Sequence, residues 1–231
     1  MKPLSIATAA ALLGLVGAAQ ATTATFDDLA TPPALTGSGG LFYANNDSAS
    51  YAGVVWDSRF VVGGDQYRID FGTNTRPPSP LFGLPKSAHY FVTNGNGDDG
   101  LTLTTTQVLT SAWFGQNAYY GYSNGADQVT ISALHGTSVL GSVSLNLTNS
   151  NPGQPSPLQL LDTSAFVALS GITGYRIDRH APTEFSDSWV GDNFAFQAPV
   201  PEVSSAWLLA LGLGGLLIAR LARPAERARR V

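Results

Sequence analysis

Gln128-Val129-Thr130-Ile131-Ser132-Ala133-Leu134-His135-Gly136-Thr137-Ser138-Val139-Leu140-Gly141-Ser142-Val143-Ser144-Leu145-Asn146-Leu147 decides the fold class. Val129 and Ile131 alternate with Thr130 and Ser132, and Val143, Leu145 and Leu147 alternate with Ser142, Ser144 and Asn146. A period of two marks a strand with one wet face. His135-Gly136-Thr137 between the two runs is a natural turn, so the stretch predicts an antiparallel hairpin of strands 128–134 and 138–147. Working outward, short β-branched and aromatic runs recur between Gly, Asn, Asp and Pro. They predict strands at 25–26, 51–56, 59–62, 67–71, 89–93, 101–105 and 108–114 on one side, and at 159–161, 174–178 and 193–197 on the other. Between the two ends of the chain there is no helical periodicity. Many short strands at this spacing predict an all-β, antiparallel β-sandwich with loops at 31–46, 73–86 and 149–157.

The ends differ in kind. Lys2 precedes an apolar stretch over 4–18, and Ala19-Gln20-Ala21 is an A-x-A cleavage site. Residues 1–21 therefore read as a signal peptide, for the Sec translocon and signal peptidase, with Thr22 the first mature residue. An uncleaved N-terminal anchor is the alternative. At the other end, no residue from 203 to 219 is charged. As a helix this segment would be about 26 Å long at ~1.5 Å per residue, near the ~30 Å of a bilayer core. Trp207 suits one interface, and Arg220, Arg223, Arg227, Arg229 and Arg230 would stay cytoplasmic. The alternative, a buried helix of a soluble domain, would show a polar face, and this run has none. Residues 22–198 form the predicted sandwich domain, and 199–231 the tail.

The tail also carries a resemblance. Val200-Pro201-Glu202, then the apolar run, then the terminal arginines, stand in the order of a PEP-CTERM sorting signal, although Val203 replaces the usual second proline. The resemblance implies a Gram-negative bacterium, an exosortase as partner, an inner-membrane intermediate, and release or transfer to the envelope or extracellular matrix. Thr25-Phe26-Asp27-Asp28-Leu29 and Val190-Gly191-Asp192-Asn193-Phe194-Ala195-Phe196, with the central hairpin, resemble the jelly-roll domains often joined to such signals. Those are similar in turn to galactose-binding-like carbohydrate-binding modules. A fold does not transfer a binding function.

Composition limits the chemistry. Between 22 and 198 there are six basic residues and fourteen acidic ones, a net −8 against −4 for the whole chain. No basic field is offered to nucleic acid. The chain has no cysteine, hence no disulfide, thiolate metal site or cysteine nucleophile. His89, His135 and His180 are scattered, and no G-x-S-x-G elbow exists. The chain reads as non-catalytic; a secreted hydrolase is the weaker alternative, because sequence cannot place an opposed carboxylate pair.

Three candidate sites remain. If Phe26, Phe194 and Phe196 face the core, strand parity points Asp28 and Asp192 the same way at their strand ends. By resemblance to binding modules they would hold a structural calcium; alternatively both cap turns or accept backbone N–H bonds. Asn94-Gly95-Asn96-Gly97-Asp98-Asp99-Gly100 lacks the sixth-position glycine and twelfth-position glutamate of an EF-hand, and predicts a polar turn. Tyr119, Tyr120 and Tyr122 follow Trp113 and Phe114 in an aromatic cluster. Exposed rings could stack on sugars, making the domain a polysaccharide-binding adhesin; the alternative is that Trp113 and Phe114 end a core strand and the tyrosines cover a rim.

Overall fold

The structure, a computed structural model, describes residues 21–30, 42–43, 49–65, 83–94, 97–117, 125–149, 155–183 and 187–199. The chain divides into two units, Met1–Pro199 and Val200–Val231, and every described residue lies in the first.

The strands are β1 (Ala21–Ala24), β2 (Phe42–Tyr43), β3 (Ala49–Tyr51), β4 (Val54–Trp56), β5 (Phe60–Gly64), β6 (Tyr90–Asn94) and β7 (Leu101–Thr104). They continue with β8 (Val108–Gln116), β9 (Gln128–His135), β10 (Ser138–Asn146), β11 (Gln159–Asp162), β12 (Gly174–His180) and β13 (Trp189–Gln197). A 3₁₀ turn, Ser164–Ala168, links β11 to β12. Two antiparallel sheets result. The first runs β11-β8-β13-β6-β5-β2 with β1 added to β13; the second runs β10-β9-β12-β7-β4-β3. The predicted all-β sandwich is observed.

The deciding hairpin forms as read. Ser142 pairs with Ser132 and Val143 with Ile131. Hydroxyls meet on the polar face, Thr130 with Ser144 at 2.7 Å and Ser132, itself buried, with Ser142 at 2.8 Å. Two predicted strands change. Residues 51–56 are not one strand but the hairpin β3–β4, turned at Ala52 (φ 54°) and Gly53 (φ 74°). Residues 25–26 are not a strand: β1 ends at Ala24, and Phe26 at φ 63° turns its ring into the core. The predicted strand 67–71 and the segment 203–219 lie outside the described residues. Among the described residues, no helix is long and apolar enough to cross a membrane.

The core is a closed circuit of edge-on rings between the sheets. Phe26 meets Trp56 at 5.1 Å, Trp56 meets Phe60 at 5.2 Å and Phe60 meets Trp189 at 6.0 Å. Trp189 meets Phe114 at 5.3 Å, Phe114 meets Phe194 at 5.6 Å, and Phe194 returns to Phe26 at 6.2 Å. Edge-on contact places the positive rim of one ring on the negative face of the next.

Both faces of the first sheet's centre are buried. Tyr90 and Val92 of β6 enter the main core. Phe91, between them, is also fully buried and therefore lies on the opposite face. There Gly83 lies against it. A Cβ on Gly83 would stand 2.4 Å from Val190 Cγ2, so only glycine permits this approach.

Candidate functional site

β13 is flanked by β8 along its whole length, but its other side is shared. β6 pairs with Val190 and Gly191, and β1 pairs from Phe194 to Gln197. At the handover the β8 ladder skips from Asp192 to Ala195, and Asn193 takes φ 49°. This is a bulge, which reverses the strand's alternation. Trp189 and Phe194, five apart, consequently share the inner face, and Asp192 turns to the outer one. The expected parity of Asp28 and Asp192 is thereby corrected: Asp28 is not in a strand, and the bulge redirects Asp192.

Asp192 is 0% exposed. Its Oδ2 accepts from Lys86 N at 2.7 Å, Ser87 N at 2.8 Å and Ser87 Oγ at 2.9 Å, while Oδ1 accepts from Asn193 N at 2.6 Å. The Ser87 hydroxyl also lies 3.2 Å from Thr25 O, and its one proton serves either acceptor. Asp27 continues the pattern. Its Oδ2 accepts from Ala88 N at 3.1 Å, and its Oδ1 from His89 N at 2.8 Å and Tyr90 N at 3.1 Å. Five successive amides, Lys86 to Tyr90, thus end on two carboxylates.

The two acids titrate oppositely. Burial pushes Asp192 up to about 6, against the pull of the Ser87, Asn193 and Lys86 donors. Burial also works to raise Asp27, but there the Ser87 hydroxyl and the amides of His89, Tyr90 and Ala88 outweigh it and hold the carboxyl below its ordinary value.

The donor set at Asp192 does not fit calcium. A cation needs six to eight oxygens, whereas the carboxylate faces N–H and O–H hydrogens. Asp28 is engaged elsewhere, its Oδ1 accepting from the Tyr51 hydroxyl, which in turn accepts from Phe26 N at 3.0 Å. Among the described residues, no three His, Asp or Glu side chains gather as a metal site.

The polar turn before β7 is held by cationic and amide donors. The carbonyls of Gly97, Asp98, Asp99 and Gly100 accept in order from Arg179 Nε, Asn94 Nδ2, Arg59 Nη1 and Arg59 Nη2, at 2.8–2.9 Å. Arg59 also grips Asp57 at 2.6 Å. Burial would raise Asp57, but Arg59 and the Thr102 amide bring it down to about 2.

The remaining candidates separate. Phe114 is in the core as expected, but Trp113, its neighbour, is half-buried on the outer face, where Lys86 Nζ sits 3.8 Å over its ring. Leu160, opposite Trp113 on β11, is 47% exposed. Tyr119, Tyr120 and Tyr122 lie outside the described residues, as do Val200, Pro201, Glu202 and the five terminal arginines. The histidines remain apart: His89 meets Asp65 at 2.9 Å, His135 meets Gly171 O at 2.6 Å and His180 meets Asp127 at 2.6 Å. Sequence reading missed Asp27 and Lys86. Lys86 carried one signal, as the sole lysine between 22 and 198.

No family model and no curated protein matches the chain. Among solved structures it is similar to a DUF4465 family protein from Bacteroides caccae, at 13% identity and TM-score 0.44, over 77% of this chain and 98% of that one. It is also similar to the K2 cleaved adhesin domain of Lys-gingipain, at 15% identity and TM-score 0.36, over 77% of this chain and 99% of that one.

Proposed function

We propose that the chain is a non-catalytic, exported surface or matrix protein sorted by an exosortase and associated with exopolysaccharide. Residues 1–21 direct export through the Sec translocon and are removed by signal peptidase. The segment 203–219 holds an inner-membrane intermediate, with its arginines cytoplasmic, until the exosortase acts near Val200-Pro201-Glu202. The jelly-roll domain is then the delivered unit.

The order of motif, apolar run and terminal arginines carries this reading. The engagement of Asp192, Asp27 and Asp57 by backbone amides and Arg59 supports a structural role for the acids clustered in the domain. Intact-mass analysis of the protein from its native host tests it. The expected species begins at Thr22 and ends near Glu202; full-length tails on most molecules would sink the proposal.

A carbohydrate-binding adhesin is the second reading, favoured by half-buried Trp113 and exposed Leu160 beside Lys86. Retention of the intact protein on immobilised glycans separates the two, since a passive matrix component would show none.

A further inference from the structure

We infer that the outer face of the first sheet carries a binding site for an anionic polysaccharide. In it Lys86 takes a uronate carboxylate, and Trp113 with Leu160 takes the apolar face of the sugar ring. The inference rests on the second of those readings, direct association with polysaccharide, and gives that association a place and a charge.

Position comes first. The register sets Leu160, Trp113 and Asp192 side by side across β11, β8 and β13. Lys86 is bonded through its backbone to Asp192, and its ammonium reaches 3.8 Å over the Trp113 ring. On either side the face is covered. Gly83 lies against Phe91 and Val190, while Ser156 and Leu158 lie against Gly115. Exposed Leu160 and half-buried Trp113 lie between these covers. The other described tryptophans, Trp56 and Trp189, are in the core.

Charge comes second. Among the described residues, Arg59, Arg176 and Arg179 each face a carboxylate, at 2.6 Å to Asp57, 2.8 Å to Asp178 and 3.9 Å to Asp187. Among the described residues, Lys86 has the indole and no carboxylate partner. An ammonium on an aromatic face, beside an exposed aliphatic side chain, matches a ligand with a carboxylate and a C–H face. A neutral glucan would leave the ammonium unanswered. A nucleic acid needs several cations, and this domain is acidic. The remote carboxylates are screened over ~8 Å at physiological salt, so Lys86 acts at contact range while the domain's net charge keeps binding weak.

The base is rigid, since Asp192 and Asp27 hold the backbone from Lys86 to Tyr90. Lys86→Gln keeps every one of those amides and removes only the ammonium, which makes it a clean probe. The full chain in a mild detergent is run through native gels containing polygalacturonate or dextran. The wild type should be retarded by polygalacturonate and not by dextran. Loss of one charge-assisted contact should weaken retention about tenfold in Lys86→Gln, and Trp113→Ala should do likewise with an unchanged melting curve. Wild-type retention with Lys86→Gln unaffected would overturn this site and leave polysaccharide association standing. Equal retardation by dextran would overturn the uronate assignment. No retardation by either polymer would overturn the site and the association together, while tail processing, read by mass, would stand apart.

Discussion

Replacing Asp192 by Asn should change how stability depends on pH, with a sign set by burial. Asp192 is fully enclosed, and its carboxyl is pushed up to about 6 from an ordinary 3.8. A raised folded value means that the ionised form is disfavoured in the fold. The group's contribution is complete below pH 3.8 and is lost as pH rises from 3.8 to 6. Two units at ~1.36 kcal/mol each amount to about 3 kcal/mol by pH 7. Asparagine is neutral like the protonated acid, with one carbonyl and an amide NH2 in place of the hydroxyl, and does not titrate. Urea unfolding of both proteins from pH 4 to 7, read as the difference in free energy, isolates the group. The variant should gain on the wild type by roughly 2 kcal/mol between pH 4 and pH 7, the first part of the loss falling below pH 4. A difference independent of pH, or one that grows in favour of the wild type, would show that the four donors outweigh burial. Below this window Asp57 acts in the opposite sense. Its lowered value, about 2, gives stability that is present above pH 3.8 and lost as pH falls toward 2. Both proteins should share that acid limb, leaving the wild type most stable near pH 4 as far as these two groups decide it.

Gly97→Ala should cost about 2 kcal/mol or more, because φ is 72° and the new Cβ would stand 2.0 Å from Asp187 Oδ2. Gly136→Ala, at φ 59° with nothing within 4 Å, should cost only the backbone part, roughly 1 kcal/mol; equal losses in thermal melts would refute the steric argument. Melting the full chain with calcium and with chelator should give the same midpoint, since Asp192 is filled by N–H and O–H donors; a calcium-dependent rise would refute the fit argument made above.

The alternating hairpin could be read from sequence because its pattern is local: each residue from Val129 to Ser132 declares its face through its own polarity. The split of 51–56 carried half a signal: Gly53 suits the turn at φ 74°, but Ala52, at φ 54°, has no turn chemistry and sits amid an apolar run that reads as one strand. The site fails in sequence for two related reasons. A bulge at Asn193 breaks the period on which a parity argument depends, although Trp189 against Phe194 and Phe196 already shows the apolar face changing register. The partners of Asp192 are backbone amides 105 and 106 residues away; amides carry no residue-type signature, so composition cannot reveal them. Trp113 was misplaced for a plainer reason. Its neighbour Phe114 occupies the core, and consecutive strand residues face opposite sides.

The position of β13 has a mechanical consequence. It has β8 along one flank and β6 and β1 along the other, with Gln197 beside Ala21 at its end. A tension applied at Gln197 along the strand axis loads these ladders in shear, so many hydrogen bonds must fail together. The same force applied at β2, which among the described residues is joined to β5 at Phe42 and Tyr43, would load far fewer hydrogen bonds at once. The domain is therefore built to bear a pull through its last strand.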